Sequence, residues 1–332
     1  MATLADVARA AGVSKATASR ALMRPEMVAE TTLQRVRGAA ERLGFHPNPA
    51  ARALTTGRTG MVGLIVPTLA NPFFAPLVLG AQQAAEETDS HLLLTVSEYS
   101  AEREAALADR ISEQVDGLIM VAPVGSDAAL RERARRRPLV LVDRRSGRLP
   151  AVVLDTASGT SALVRHLLDL GHRDIAYVSG PSGSWADAQR RAAMAEQAEA
   201  AGARLRVLGP LPPTFDAGIG AAGALPSGAT AVIAYNSYLV LGLLHGLKAA
   251  GVRVPEDMSL AAADDLTALG ATSPAVTALG VPVGEAGALA VTRLLEVCAG
   301  SRRTVVTELP TVLHRRESTA APERLADGSR SG

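Results

Sequence analysis

The chain has 332 residues, 48% of them hydrophobic, and a net charge of +1. That is apolar material for a sizeable core in a chain too long for one ordinary domain, so two or more folded units are expected and a disordered chain is excluded. The one cysteine, Cys298, cannot close an internal disulfide, and Asp6 and Arg9 interrupt the stretch where a secretory leader needs unbroken apolar residues; a reduced, cytoplasmic setting is expected.

Charge is unevenly divided. Residues 1–60 hold nine Lys/Arg against four Asp/Glu, leaving 25 against 29 in the remainder, so the head carries +5 and the body −4. A basic head on an acidic body suggests a polyanion partner for the head, although many charged faces are merely solvated.

The first 43 residues read as three helices. Thr3 can cap a helix with Asp6 in its first turn, and Leu4, Val7, Ala8 and Ala11 recur at helical spacing until Gly12 ends it. Ser14 is a second capping residue, after which Ala18, Ala21 and Leu22 form an apolar stripe while Lys15, Ala16, Ser19 and Arg20 project from the other side. A third helix, roughly Thr32 to Leu43, offers Leu33, Val36, Ala40 and Leu43 to the same small core. A tight Gly turn between helices whose second member exposes its N-terminal side chains is what a helix-turn-helix requires; a plain helical hairpin would share part of this pattern.

From Met61 the texture changes to short apolar runs separated by amphipathic stretches: Val62–Val66, Leu92–Val96, Gly117–Ala122, Leu139–Val142, Ala151–Leu154, Ile175–Ser179, Leu205–Leu208, Ala231–Ala234 and Ser259–Ala263. Such alternation predicts parallel sheets covered by helices, a doubly wound α/β body too long for one sheet and therefore two-lobed with a cleft between the lobes. The longest apolar stretch, Ala229 to Leu247, is broken by Asn236, Ser237 and His245 and reads as a buried strand and helix rather than a membrane span. Gly218, Gly220 and Gly223 spell G-x-G-x-x-G, yet Pro212 and Pro213 stand where a nucleotide fingerprint needs a strand. No Walker loop, metal-ligand spacing or nucleophile elbow occurs, so no catalytic residue, metal or cofactor is expected. From Ser318 to Gly332 the chain lacks apolar periodicity and leucine heptads, so disorder is expected over 319–332.

Thr3–Leu22, Gly44–Gly57 (GFHPNPAARALTTG), Asn71–Phe74 (NPFF), Val115–Met120 (VDGLIM), Leu141–Arg144 (LVDR), Leu170–Pro181 (LGHRDIAYVSGP), Arg253–Leu260 (RVPEDMSL) and Ala263–Asp265 (ADD) together resemble the LacI/GalR (lactose repressor) family over nearly the whole chain. The resemblance implies a helix-turn-helix head with a hinge helix (1–57, hinge about 47–55) and a periplasmic-binding-protein-like body (58–318). The lobes would be about 61–157 plus 283–305, and 158–282 plus 306–318. It implies that Lys15, Ala16 and Arg20 face bases, that Ser14, Thr17, Ser19 and Thr32 touch phosphates, and that Thr3, Asn48 and Ala51 add to the DNA contacts while Leu54 wedges into the minor groove. Met23 and Ala29 depart from the family's usual Asn and Ser.

In the body the resemblance points to Phe73, Phe74, Asp143, Arg190, Phe215, Asn236 and Asp264 as effector contacts. Aromatic faces, a guanidinium and carboxyl or amide acceptors suit a polyhydroxyl or purine-like ligand, while Phe73 or Phe74 as plain core and Asp143 as a turn cap are the competing readings. Ser237, Ala263 and Gly280 depart from the family pattern. The implied function is a sequence-specific transcription regulator, a repressor, that binds a pseudo-palindromic double-stranded DNA operator as a homodimer and answers to a small carbohydrate-like effector, with no membrane partner. A transport-system sugar-binding protein would share the two-lobed body but need a leader and no head; a dehydrogenase-like enzyme would need the glycine triplet to be real.

Overall fold

The computed structural model describes residues 2–23, 27–45, 57–265, 272–301 and 303–322, divided into two compact units, one up to Met61 and one from Val62.

The first unit holds α1 (Leu4–Ala10), α2 (Lys15–Met23) and α3 (Glu30–Arg42). Thr3 and Asp6 cap α1 reciprocally: the Asp6 amide donates to Thr3 Oγ1 at 3.3 Å and the Thr3 amide to Asp6 Oδ2 at 2.9 Å. Gly12 turns the chain with φ +63°, a left-handed conformation that costs glycine nothing. Val7, Ala8, Ala18, Ala21, Leu33, Val36 and Ala40 make the core, as the helical spacing predicts. Leu43 is the exception, being 40% exposed; α3 ends at Arg42, and Phe45, beyond the Gly44 turn, packs against the core.

The second unit contains two six-stranded sheets. The first is built from β1 (Met61–Val66), β2 (His91–Val96), β3 (Gly117–Val121), β4 (Leu139–Val142), β5 (Ala151–Leu154) and β11 (Val306–Leu309), in the order β11-β5-β4-β3-β1-β2. The second is built from β6 (Asp174–Val178), β7 (Arg204–Leu208), β8 (Ala231–Ala234), β9 (Ser259–Ala262), β10 (Thr277–Gly280) and β12 (Val312–His314), in the order β12-β10-β9-β8-β6-β7. The second sheet's pairs are parallel except β10 with β12. The intervening helices are α4 (Ala75–Glu87), α5 (Ala101–Ile111), α6 (Asp127–Arg136), α7 (Thr156–Asp169), α8 (Trp185–Ala200), α9 (Phe215–Gly223), α10 (Ser237–Ala249) and α11 (Val283–Cys298). Ser100, Ser126, Asp155, Ser184, Thr214 and Asn236 each accept an amide hydrogen bond at the start of the helix that follows.

The chain passes between lobes three times: after β5, after β10 and after β11. This corrects the expected boundary at 305/306. β11 pairs in parallel with β5, Val306 opposite Ala151 through Leu309 opposite Leu154, so the first lobe keeps the chain to Leu309. The disorder expected over 319–332 is corrected at its start, where Thr319 bonds His166 and the Ala320 amide donates to Ser259 Oγ at 3.0 Å. Ser318 is fully buried and donates to the Leu260 carbonyl; residues 323–332 lie outside the described residues.

Glycines let one helix pair in each lobe approach closely. A Cβ on Gly80 would lie 2.0 Å from the Gly284 carbonyl oxygen (α4 on α11), and one on Gly242 would lie 2.1 Å from the Phe215 carbonyl oxygen (α10 on α9). The glycine triplet lies inside α9, with Gly218 against Leu239 and Gly242. Helix packing, not a phosphate loop, accounts for it.

Candidate ligand cleft and DNA-reading helix

In the first unit, α2 presents Lys15, Ala16 and Arg20 to solvent while Ala18 and Ala21 are buried beneath them. Ser14 Oγ accepts from the Thr17 amide at 3.0 Å and bonds the Thr17 hydroxyl at 2.8 Å, so these two hydroxyls stand together at the N-terminus of α2. That helix end offers amides and hydroxyls suited to a phosphate. Ser19 and Thr32 are half-buried and Thr3 is exposed. Asn48, Ala51 and Leu54, with the whole hinge helix, lie outside the described residues.

In the second unit the carboxyl ends of strands from both sheets surround one small cavity, where open α/β sheets place their ligands. The first lobe brings Asn71, Phe73, Phe74, Tyr99 and Asp143, the second Arg190, Tyr235, Asn236 and Asp264. Six of the seven residues expected in the cleft are therefore together. The cavity is closed down to about 30 Å³, the share of roughly one water molecule.

Local chemistry explains each placement. Asn71 caps a short 3-10 turn, Pro72–Phe74, through Oδ1 to the Phe73 amide at 3.0 Å, and the two phenyl rings meet edge to face at 5.3 Å. Phe74 also belongs to the core of the first lobe, so lining and core are one role here. Tyr99, Ala122 and Asp143 follow β2, β3 and β4 with φ of +57°, +44° and +54°, and all three line the cavity. Left-handed backbone at non-glycine residues is strained, and its repetition along one cleft wall marks a functional edge.

Arg190 is held from two sides, Nε donating to Thr156 Oγ1 at 2.9 Å and Nη1 to the Tyr235 carbonyl at 3.0 Å, with its guanidinium carbon 5.0 Å from the Tyr235 ring centre. Asp187, one turn earlier on α8, takes hydrogen bonds from Tyr177 Oη (2.7 Å), Ser179 Oγ (2.9 Å) and the Gly180 amide (3.1 Å), which pins α8 to β6 and aims Arg190 inward. Asp264 is 3% exposed and accepts a short hydrogen bond from Ser237 Oγ. Asp143 is 8% exposed, and its Oδ1 has no partner. Burial pushes both carboxyls up to about 6, against the pull of Arg190. An unpaired buried acceptor costs about 1–3 kcal/mol, so a ligand hydroxyl or amine reaching Asp143 would recover that cost.

Asn236 spends its amide on the fold. Oδ1 caps α10 at the Leu239 amide (3.0 Å) and Nδ2 donates to the Pro213 carbonyl at 3.3 Å. Phe215 is not among the residues lining the small cavity. It is 40% exposed, tilted against His245 at 5.8 Å, and lines an adjoining space of about 570 Å³ that shares Asn71 and Tyr99 with the inner cavity. It therefore stands at the mouth. Tyr99 and Tyr235 were not singled out by sequence reading; the position of Tyr235 at the end of a strand, just before Asn236, was the available signal.

A three-helix head with an exposed reading helix and a two-lobed body with a polar cleft define the class of DNA-binding regulators that carry a periplasmic-binding-protein-like domain. Residues 3–48 match the model of bacterial regulatory proteins of the lacI family, and residues 164–319 the periplasmic binding protein-like domain. The regulator PtxS of Pseudomonas plecoglossicida is 33% identical over 310 residues, 90% of each chain. The transcriptional regulator CelR in complex with cellobiose is 28% identical over 96% of this chain and 100% of that one, with a TM-score of 0.71. The Lac repressor dimer bound to operator and the anti-inducer ONPF, 24% identical, shares the fold over 96% and 99% of the two chains with a TM-score of 0.85.

The chain belongs to the LacI family of bacterial regulatory proteins. It is a DNA-binding transcription regulator and not an enzyme. No helix among the described residues is long and apolar enough to cross a membrane.

Proposed function

We propose that this regulator is a cytoplasmic repressor that binds a pseudo-palindromic operator as a homodimer and is controlled by a sugar or sugar derivative held between the two lobes. The observation that carries the reading is the cleft itself: two carboxyls, a guanidinium, two phenols and an edge-to-face phenyl pair converge from both lobes, and the buried Asp143 Oδ1 lacks a hydrogen-bond donor. Hydroxyl-rich ligands supply donors to carboxylates, acceptors to a guanidinium and an apolar face to aromatic rings. The cellobiose bound to CelR supports this class. Because both lobes contribute, a ligand touching Asp143 and Asp264 together favours one lobe angle over others, and coupling of about 1–3 kcal/mol suffices for a switch.

In the head, Lys15, Ala16 and Arg20 are proposed to face base edges and Ser14, Thr17, Ser19 and Thr32 phosphates, with Thr3, Asn48, Ala51 and Leu54 completing the contact set. The test is a thermal-shift screen of sugars followed by operator titration of the wild type and Asp264→Ala with and without the hit. An effector response that vanishes in the variant supports the cleft; a variant that responds like the parent places the effector elsewhere.

A further inference from the structure

A second cavity, of about 220 Å³, lies where β5 hands the chain to α7, on the other side of the cleft wall. Its walls come from both lobes. Arg145 and Glu308, which form an ion pair, stand on the first; Trp185 and Gln189 stand on the second; Asp155 lies at the crossover itself. Trp185 is the chain's one tryptophan and is half-buried here. Leu154 lines both this cavity and the inner cleft, and Thr156, which lines this one, holds Arg190 through its hydroxyl at 2.9 Å. The two cavities are thus back to back across one shared wall.

We propose that this second cavity is a binding site for a neutral polyol of monosaccharide size, distinct from the inter-lobe cleft. The lining supplies an indole, the Gln189 amide and the Arg145–Glu308 ion pair, an apolar ring with polar groups around it, which is the combination that the alternating C–H and O–H surface of a sugar ring can use. Its volume of about 220 Å³ lies below the roughly 300–1,000 Å³ of pockets that hold drug-sized ligands, which favours a small occupant. The balance of one cation against carboxylates on the rim disfavours an anionic ligand. Because its walls belong to different lobes, occupancy depends on the lobe angle, and the shared Thr156–Arg190 contact carries the response to the cleft.

Trp185 makes the site its own reporter. Emission of the full-length protein is titrated with D-glucose, D-ribose and myo-inositol, in the wild type, in the cleft variants Asp143→Asn and Asp264→Asn, and in Gln189→Ala and Glu308→Gln, with circular dichroism to confirm that each variant is folded. At least one probe is expected to change the emission saturably, with the response retained in both cleft variants and its Kd raised about tenfold or more in Gln189→Ala or Glu308→Gln. No saturable change with any of the three probes overturns the proposal. So does a response lost in the cleft variants but unaltered in Gln189→Ala and Glu308→Gln, since the signal would then come from the cleft alone; that second result leaves the reading of the cleft intact.

Discussion

Tyr238 Oη donates a 2.7 Å hydrogen bond to the Ala70 carbonyl, joining the start of α10 in the second lobe to the loop after β1 in the first. It spans the mouth beside Phe215 and acts as a latch on the closed lobes. A hydrogen bond is worth about 0.5–1.5 kcal/mol net, so Tyr238→Phe should lower the closed-to-open ratio by roughly two- to tenfold. Small-angle scattering should show a larger radius of gyration for the variant, and its effector affinity should fall; identical scattering curves would show that the latch is idle.

Arg20 is exposed on α2, one turn beyond Ala16. If it reads a guanine edge, Arg20→Ala should cost about 1–3 kcal/mol and relax preference at one position of each half-site. Selection from a random operator library checks this. Uniform weakening across all sequences would reassign Arg20 to a phosphate.

The cleft carboxyls make stability pH-dependent with a definite sign. Asp143 has a folded pKa of about 6 against an ordinary value near 4, so between those values the folded protein binds more protons than the unfolded chain and stability falls as pH rises. His166 and His172 act oppositely, burial holding their pKa down, so the unfolded chain takes up protons first as pH falls below about 6.5. Comparing Tm of the wild type and Asp143→Asn at pH 4.5 and 7 isolates the carboxyl. The variant should gain on the parent at the higher pH, and parallel Tm profiles would refute the assignment.

Gly242→Ala places a methyl 2.1 Å from a backbone oxygen that cannot move without shifting α9. Overpacking of this kind costs about 1–3 kcal/mol, and the variant should melt several degrees lower while Gly220→Ala, where no atom lies within 4 Å, should not.

His172 shows how a conspicuous motif can serve the fold rather than the cleft. Inside LGHRDIAYVSGP it is buried, with Nδ1 2.8 Å from Thr230 Oγ1 and Nε2 2.9 Å from the Ala320 carbonyl, clamping the end of the described chain onto the second sheet. His172→Phe should free residues 318–322, which would show as new protease cleavage there; an unchanged digestion pattern would mean the segment is held by Ser318 and Ser259 alone.

What could be read from the sequence follows the strength of periodic burial. The nine runs from Val62 to Ala263 became strands: seven are buried almost throughout, as inner parallel strands require, while β2 and β7 are partly exposed edge strands whose runs carry Thr95 and Arg206. β10, β11 and β12 escaped because TALG, VTEL and VLH are three or four residues long and carry polar positions. The wrong lobe assignment of β11 came from the same weakness, since nothing local tells a four-residue strand which sheet it joins. In the cleft, Asp143 and Asp264 were legible through the LVDR and ADD motifs, and Arg190 through the overall family resemblance. Tyr99 was not, because its place in the wall depends on a left-handed turn after β2 that TVSEYS does not announce.

The threefold crossing between lobes has a consequence for biosynthesis. The head is one contiguous stretch and can fold as soon as it leaves the ribosome, whereas the first lobe lacks α11 and the edge strand β11 until Leu309 has emerged, and the second lobe lacks β12 until His314 has. During that interval the nascent chain carries a complete three-helix head ahead of a sensor whose two sheets still lack the edge strands β11 and β12.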